Sequence, residues 1–267
     1  MNRFDGRRVL ITGAGSGIGQ ATVRRVLAEG GTVVGADIAE PGLAATRELA
    51  EADGTADRLT TLTVDIGDEA SVIEGVARAT GLLGGLDVLV NAAGILRSEH
   101  TDRTGLDLWN TVLRVNLTGT FLMTREALPE LLASGRGVVV NFSSTSATFA
   151  HPYMSAYAAS KGGVQSFTHA IAVEYAKQGL RAVSVAPGSI SSGMTDASGS
   201  SGQNRGPGLP ADADMSLYAK LTPALQSGNA YNFAGPETVA GVIAMLASDD
   251  GAFVTGTEVR VDGGTHA

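Results

Sequence analysis

Tyr157 and Lys161 stand four residues apart in this 267-residue sequence, in the run Tyr157-Ala158-Ala159-Ser160-Lys161. If the run opens a helix, that spacing puts both side chains on one face. A free phenol has a pKa of about 10 and is a poor acid–base group near neutrality. An ammonium held beside it favours the phenolate and brings its proton within working range. The chain has no cysteine, which excludes thiol nucleophiles, disulfides, iron–sulfur clusters and cysteine-rich zinc sites. His100, His151, His169 and His266 show no metal-ligand spacing, so no metal is expected. The chemistry left for this pair is proton transfer by a tyrosine.

A second constellation lies near the N-terminus. Thr12-Gly13-Ala14-Gly15-Ser16-Gly17-Ile18-Gly19 follows an apolar run and opens a helical stretch. Glycines there let the chain turn tightly and let a pyrophosphate approach main-chain N–H groups, where the helix dipole favours an anion. The spacing is G-x-x-x-G-x-G, without the Lys-Ser/Thr ending of a triphosphatase loop. Asp37 ends the next apolar run, 18 residues beyond Gly19. A carboxylate there accepts hydrogen bonds from the adenosine ribose hydroxyls and repels a 2′-phosphate. Neither Ile38, which follows it, nor Ser16 in the turn is basic, so NAD rather than NADP is the expected cofactor.

Positioning these groups requires a scaffold. Candidate strands are Arg8–Thr12, Thr32–Asp37, Leu59–Asp65, Val88–Asn91, Gly137–Phe142, Arg181–Ala186 and Glu258–Val261. They are nearly continuous in apolar residues, the pattern of strands buried on both faces. Between them lie crossover helices over Ile18–Glu29, Pro41–Ala52, Glu69–Ala79, Trp109–Leu132, Ala156–Gln178 and Pro236–Leu246. The alternation implies an α/β fold, a doubly wound seven-stranded parallel sheet flanked by helices. Ligands of such sheets bind beyond the carboxyl ends of the strands. No second-domain boundary interrupts residues 1–267, so one domain is expected. Ser191–Pro210 breaks the rhythm with a Ser/Gly/Pro-rich stretch, read as the start of a substrate lid over 191–226.

Composition narrows the partners. The net charge is −8, which disfavours nucleic-acid binding, since phosphate neutralisation needs clustered Lys and Arg. No run of about 18 apolar residues marks a membrane span. The apolar run after the charged start, Val9-Leu10-Ile11, is too short for a signal peptide, so a cytoplasmic protein is expected. Glycine is abundant, 36 residues, consistent with backbone brought close to a ligand at several places.

The motifs together resemble the short-chain dehydrogenase/reductase family over essentially the whole chain. They are Thr12–Gly19, Asp37, Val64-Asp65-Ile66, Asn91-Ala92-Ala93-Gly94, Asn116, Val140–Ser144, Tyr157–Lys161 and Pro187-Gly188. The resemblance implies a Rossmann-type domain and a catalytic set of Asn116, Ser144, Tyr157 and Lys161. Ser144 lies 13 residues before Tyr157, the family's usual interval, and is preferred over Ser143. By that resemblance Ser144 would hydrogen-bond the substrate oxygen, and Tyr157 would move the proton as hydride passes to or from the nicotinamide. Lys161 would bind the nicotinamide ribose and acidify Tyr157, and Asn116 would hold a water in a proton relay.

Cofactor contacts carry over similarly, to Gly13, Ser16, Gly17, Ile18, Gly19, Asp37 and Ile38. Asp65 and Ile66 would meet the adenine, and Asn91, Ala92, Ala93 and Gly94 would pass beneath its ribose. Pro187, Gly188, Ile190 and Ser192 would meet the carboxamide, with Ser192 standing where the family commonly has threonine. The implied reaction is hydride transfer between NAD(H) and a small-molecule secondary alcohol or ketone. Phe149, Met154, Met194, His151 and Arg97 are candidates for the substrate wall. A homotetramer or homodimer is implied, through the small-residue face Ala158, Ala159, Gly162 and Gly163 and the Val259–Gly264 stretch. The competing readings are a 3-oxoacyl-carrier-protein reductase and a non-catalytic NAD-binding sensor or structural subunit.

Overall fold

A computed structural model describes residues 2–192, 194, 208–218, 221–225, 227 and 233–267. Among them, seven strands form one parallel sheet: β1 (Arg8–Thr12), β2 (Thr32–Asp37), β3 (Leu59–Thr63), β4 (Val88–Asn91), β5 (Val138–Phe142), β6 (Arg181–Pro187) and β7 (Glu258–Val261). The order across the sheet is β3-β2-β1-β4-β5-β6-β7. Order therefore reverses at β1, which pairs Thr12 with Ala36 on one side and with Asn91 on the other. Such a reversal opens a crevice beyond the carboxyl ends of the strands.

The helices are α1 (Gly17–Ala28), α2 (Glu40–Ala52), α3 (Glu69–Leu83), α4 (Leu106–Leu113), α5 (Gly119–Ala133), α6 (Ser155–Glu174) and α7 (Pro236–Ala247). One apolar layer joins Val23 and Leu27 of α1 and Ile243 and Leu246 of α7 to Val9, Ile11, Val88 and Val140. On the other face Val72 and Val76 of α3 and Met123 and Leu131 of α5 meet Leu10, Leu89 and Val139. Alternate residues of one strand thus enter opposite layers, which is why the strands read as continuous apolar runs.

Several boundaries differ from the sequence expectation, among them the helix expected over Glu69–Ala79, which runs on to Leu83 and ends at Gly84, φ 68°. The third strand stops at Thr63, because the Asp65 carboxylate accepts from Gly67 N at 2.8 Å and turns the chain. The helix expected over Trp109–Leu132 begins at Leu106 and is broken by a π-turn over Arg114–Thr118. The helix expected to reach Gln178 ends at Glu174, and its 3₁₀ continuation closes at Gly179, φ 84°. Of the expected lid over 191–226, residues 193, 195–207, 219, 220 and 226 lie outside the described residues.

The end of the sheet opposite the crevice is fastened by charge. Asp87, fully buried just before β4, accepts hydrogen bonds from Arg8 N, Nε and Nη2 at 2.9–3.0 Å and from Arg136 Nε and Nη2 at 3.1 and 3.2 Å. Burial alone would push its carboxyl up, but the two guanidiniums outweigh that and hold it well below the usual carboxylate range.

Candidate active site

The Gly-rich segment after β1 forms a tight turn into α1. Gly13 has φ 69°, and a Cβ there would sit 2.8 Å from Ala93 N, so only glycine fits against the chain leaving β4. A Cβ on Gly19 would overlap the main-chain oxygen of Gly13. Ser16, at the N-cap of α1, makes no side-chain cap, and no acidic residue occupies the first turn. The first N–H groups and the positive end of the helix dipole are thus left for an anion. Asp37, at the end of β2, accepts from Gly15 N and Ala39 N, each at 2.9 Å. These bonds fix its carboxylate beside the turn, and Ile38 next to it is partly exposed. The donor and acceptor set suits a dinucleotide: amides for a pyrophosphate, then a carboxylate for ribose hydroxyls.

All of this borders one cleft of about 610 Å³ that runs along the strand ends. Of the expected cofactor contacts, Gly13, Ser16, Gly17, Ile18, Gly19, Asp37, Ile38, Asp65 and Ile66 line it, as do Ala92, Ala93, Gly94, Pro187, Gly188, Ile190 and Ser192. Asn91 does not. Its Nδ2 turns into the core, donating to Thr124 Oγ1 at 3.1 Å and to Asn141 Oδ1 at 2.9 Å. Asn141 donates in turn to Thr168 Oγ1 at 2.9 Å, so this amide chain ties β4 and β5 to α5 and α6.

Ser144, Tyr157 and Lys161 share the other half of the cleft. Ser144 leaves the end of β5, and its Oγ accepts from Ser146 N at 3.2 Å. Tyr157 and Lys161 lie on the first turns of α6. Lys161 is buried, and its Nζ donates to the Phe142 carbonyl at 2.8 Å, 5.7 Å from the centre of the Tyr157 ring. Burial lowers its pKa to about 8. Tyr157 keeps part of its surface open to the cleft. Burial pushes its phenol up to about 12, against a hydrogen bond with Ser144 that pulls it down. The acidification expected from Lys161 is absent in the chain alone, where desolvation dominates both groups.

Asn116 sits in the π-turn and is fully buried. Its Oδ1 accepts from Ile95 N at 2.8 Å, and its Nδ2 donates to Ile95 O at 2.9 Å and to Ser160 Oγ at 3.1 Å. Ser160 Oγ donates to the Tyr157 carbonyl at 2.7 Å. Asn116 therefore braces the β4 exit against the turn that carries Tyr157. Both of its N–H groups are committed to protein, and the expected water would be left its remaining acceptor capacity. Gly94 is packed above this brace: a Cβ there would lie 3.1 Å from Asn116 Oδ1 and 3.5 Å from Lys161 Nζ.

On the substrate side, Met154, Met194 and His151 line the cleft as expected, whereas Phe149 and Arg97 do not border it. Phe149 stacks on His266, ring centres 4.0 Å apart, and Arg97 donates to the Leu96 carbonyl at 2.7 Å. Leu209, Met215 and Tyr218 also line this end; they fall in the segment expected as a lid, but the sequence did not single them out. Their segment is clasped to the body: Asp212 meets His100 Nε2 at 3.0 Å and Arg103 Nη1 at 2.9 Å. Asp214 N donates to the Tyr153 hydroxyl at 2.8 Å, and the Tyr218 hydroxyl donates to the Pro152 carbonyl at 2.9 Å. Tyr153 is the sole non-glycine among the described residues with positive φ, 65°. These partners are 61 to 112 residues apart in the chain, and no local pattern announces them.

A family model of the short chain dehydrogenases matches residues 7–202. The chain belongs to the short-chain dehydrogenase/reductase family. It is similar to the 3-oxoacyl-[acyl-carrier-protein] reductase of Thermotoga maritima, 35% identical over 262 residues, 98% of each chain. Among solved structures it is similar to that of levodione reductase, TM-score 0.84, 31% identical, covering 98% of each chain. A short chain dehydrogenase from Burkholderia cenocepacia J2315, solved in complex with NADP, has TM-score 0.83 at 28% identity over the full length of both chains. As a short-chain dehydrogenase/reductase the protein is an oxidoreductase that uses a nicotinamide cofactor and a small-molecule substrate.

Proposed function

We propose that this enzyme moves hydride between NAD(H) and a secondary alcohol or ketone, with Ser144, Tyr157 and Lys161 carrying the proton chemistry. The observation behind the reading is that one cleft joins the Gly-rich turn and Asp37 to these three side chains. The nicotinamide ring, when bound, supplies or accepts the hydride. The Tyr157 phenol, protonated at neutral pH, can give its proton to a carbonyl oxygen as that oxygen gains charge. The Ser144 hydroxyl would hydrogen-bond the same oxygen. Lys161, an ammonium below about pH 8, has hydrogen-bonding capacity beyond Phe142 O for a ribose hydroxyl. Asn116 would hold the Tyr157 turn in place, with a relay water at its remaining acceptor capacity. Asn91 would act from beneath, through the amide chain that sets the β4 exit.

NAD rather than NADP is favoured by Asp37, whose neighbours Ser16, Ile38 and Ala39 carry no positive charge against a 2′-phosphate. A carrier-protein reductase is the second reading, supported by the Thermotoga relative. Against it, Lys161 is the one Lys or Arg among the described residues lining the cleft, and the chain is acidic. A sensor role without catalysis is disfavoured by the gathering of Ser144, Tyr157 and Lys161. The chain is read as one domain, with 191–226 as its lid. Exposed Phe121 on α5, Val173 on α6 and Phe253 before β7 support a homotetramer or homodimer. No described helix is long and apolar enough to cross a membrane, consistent with a cytoplasmic enzyme.

The test is NADH oxidation with a panel of ketones. Tyr157→Phe should lower kcat at least about 1,000-fold, roughly 4 kcal/mol, while NADH still binds by fluorescence. Retained turnover would refute the assignment of Tyr157.

A further inference from the structure

Beyond Ser144 and Tyr157 the substrate end of the cleft carries two more polar side chains with unspent capacity. Ser146 borders the cleft at 5% exposure, and its hydroxyl is buried with no hydrogen-bond partner. A buried hydroxyl without a partner has given up its water without replacement, a loss that a ligand oxygen would make good. His151 also lines the cleft. Its Nδ1 lies 3.1 Å from the Phe149 carbonyl, which can only accept, so Nδ1 carries the proton of the neutral ring. Nε2 is then an acceptor, and its nearest protein hydroxyl, Thr145 Oγ1, is at a long 3.5 Å.

The imidazole is held in this orientation from outside. His266 meets it edge-on, ring centres 5.6 Å apart, and is itself stacked on Phe149. Arg260 covers Phe149 at 5.1 Å and donates to the His266 carbonyl at 3.1 Å. Burial, more than the nearby His266, lowers the His151 pKa, so the ring is neutral at pH 7. A neutral acceptor and an unpartnered hydroxyl lining one cleft suit a ligand hydroxyl, which donates to the first and accepts from the second. They do not suit a carboxylate, which has no hydrogen to donate to Nε2.

We propose that Ser146 and His151 form a second oxygen-binding subsite, so that the preferred substrates are diols and hydroxyketones, one oxygen reacting at Tyr157 and the other held here. The proposal rests on the reading of Tyr157 as the proton donor and names the substrate class of that same site.

The experiment compares NADH-dependent reduction of 2-hydroxycyclohexanone with that of cyclohexanone, in the wild type and in Ser146→Ala, His151→Phe and the double variant. The wild type should favour the hydroxyketone in kcat/KM by about 10-fold or more. Each single substitution should cut that ratio about 3- to 10-fold, and the double variant should bring it near one. His151→Gln, which keeps an acceptor, should restore part of it. NADH binding by fluorescence confirms that each variant is folded, with Ser146→Gly replacing any that is not. Reduction of both ketones at a ratio that no substitution changes overturns the subsite and leaves the Tyr157 reading standing. Reduction of neither ketone by the wild type overturns both.

Discussion

Lys161 Nζ donates to the main-chain carbonyl of Phe142 at 2.8 Å, while the centre of the Tyr157 ring lies 5.7 Å from the same nitrogen. The ammonium is anchored to the strand end and reaches its aromatic neighbour only at a distance. Its charge is therefore poorly compensated until something else enters the cleft.

A stability signature follows. The folded-state pKa of Lys161 is lowered from 10.5 to about 8, so below pH 8 the folded protein carries the cost of a buried charge. That cost is relieved as pH rises from 8 to 10.5, where the unfolded chain still binds the proton. Lys161→Met should therefore be more stable than the wild type at pH 7 by on the order of 2 kcal/mol, after about 1 kcal/mol is allowed for the lost hydrogen bond. The advantage should vanish by pH 10.5. Urea melts of both proteins at the two pH values measure it, and equal stability at pH 7 would contradict the lowered pKa.

Asp37 should set cofactor choice. The wild type is expected to favour NADH over NADPH in kcat/KM by at least about tenfold, roughly 1.4 kcal/mol. In Asp37→Ser the ratio should fall by about tenfold or more, mainly through a lower KM for NADPH. Steady-state kinetics with both cofactors decide it, and equal use by the wild type would remove the role given to Asp37.

At the opposite end of the sheet, Asp87→Asn should destabilise the protein by about 2–3 kcal/mol at pH 7. The loss is smaller than for a fully buried pair, because Arg8 and Arg136 stay partly solvated once the carboxylate is gone. The Asp87 carboxyl lies below its unfolded value, so its contribution is present above about pH 4 and is lost as pH falls. The gap between variant and wild type should therefore narrow in melts toward pH 2, with kcat at neutral pH little changed.

The clasp over the substrate end should act on binding. Asp212 is more than half exposed, so its pairing with His100 and Arg103 contributes up to about 1 kcal/mol. Asp212→Ala should raise the ketone KM up to about fivefold with kcat within about twofold. In 1 M salt, where screening acts over about 3 Å, variant and wild type should converge. A change confined to kcat would mean the segment does not cover the substrate.

Much of the scaffold could be read because its strands are buried on both faces: Val88–Asn91 and Arg181–Ala186 are almost unbroken apolar runs bounded by polar residues. The Gly13–Gly19 turn and Asp37 were legible for a related reason, since the constraint there is local and steric. What escaped depends on distant partners. The break at Arg114–Thr118 follows from Asn116 reaching Ile95 and Ser160, which no 3.6-residue periodicity records. Asn91 was expected to face the cofactor, but Asn141 and Thr124 draw its amide into the core. Ser146 has no sequence signal, because a missing partner is visible only in three dimensions.

The π-turn carries a last implication, for the spacing of the site. A π-turn amounts to one residue more than an α-helix needs. Removing one residue between 114 and 118 would let α4 and α5 fuse into a single regular helix. That shorter sequence would gain local order and swing the Asn116 amide off Ile95. The deletion would give up the three Asn116 hydrogen bonds for helical regularity, so the irregular turn is what holds the β4 exit and the Tyr157 turn at one spacing.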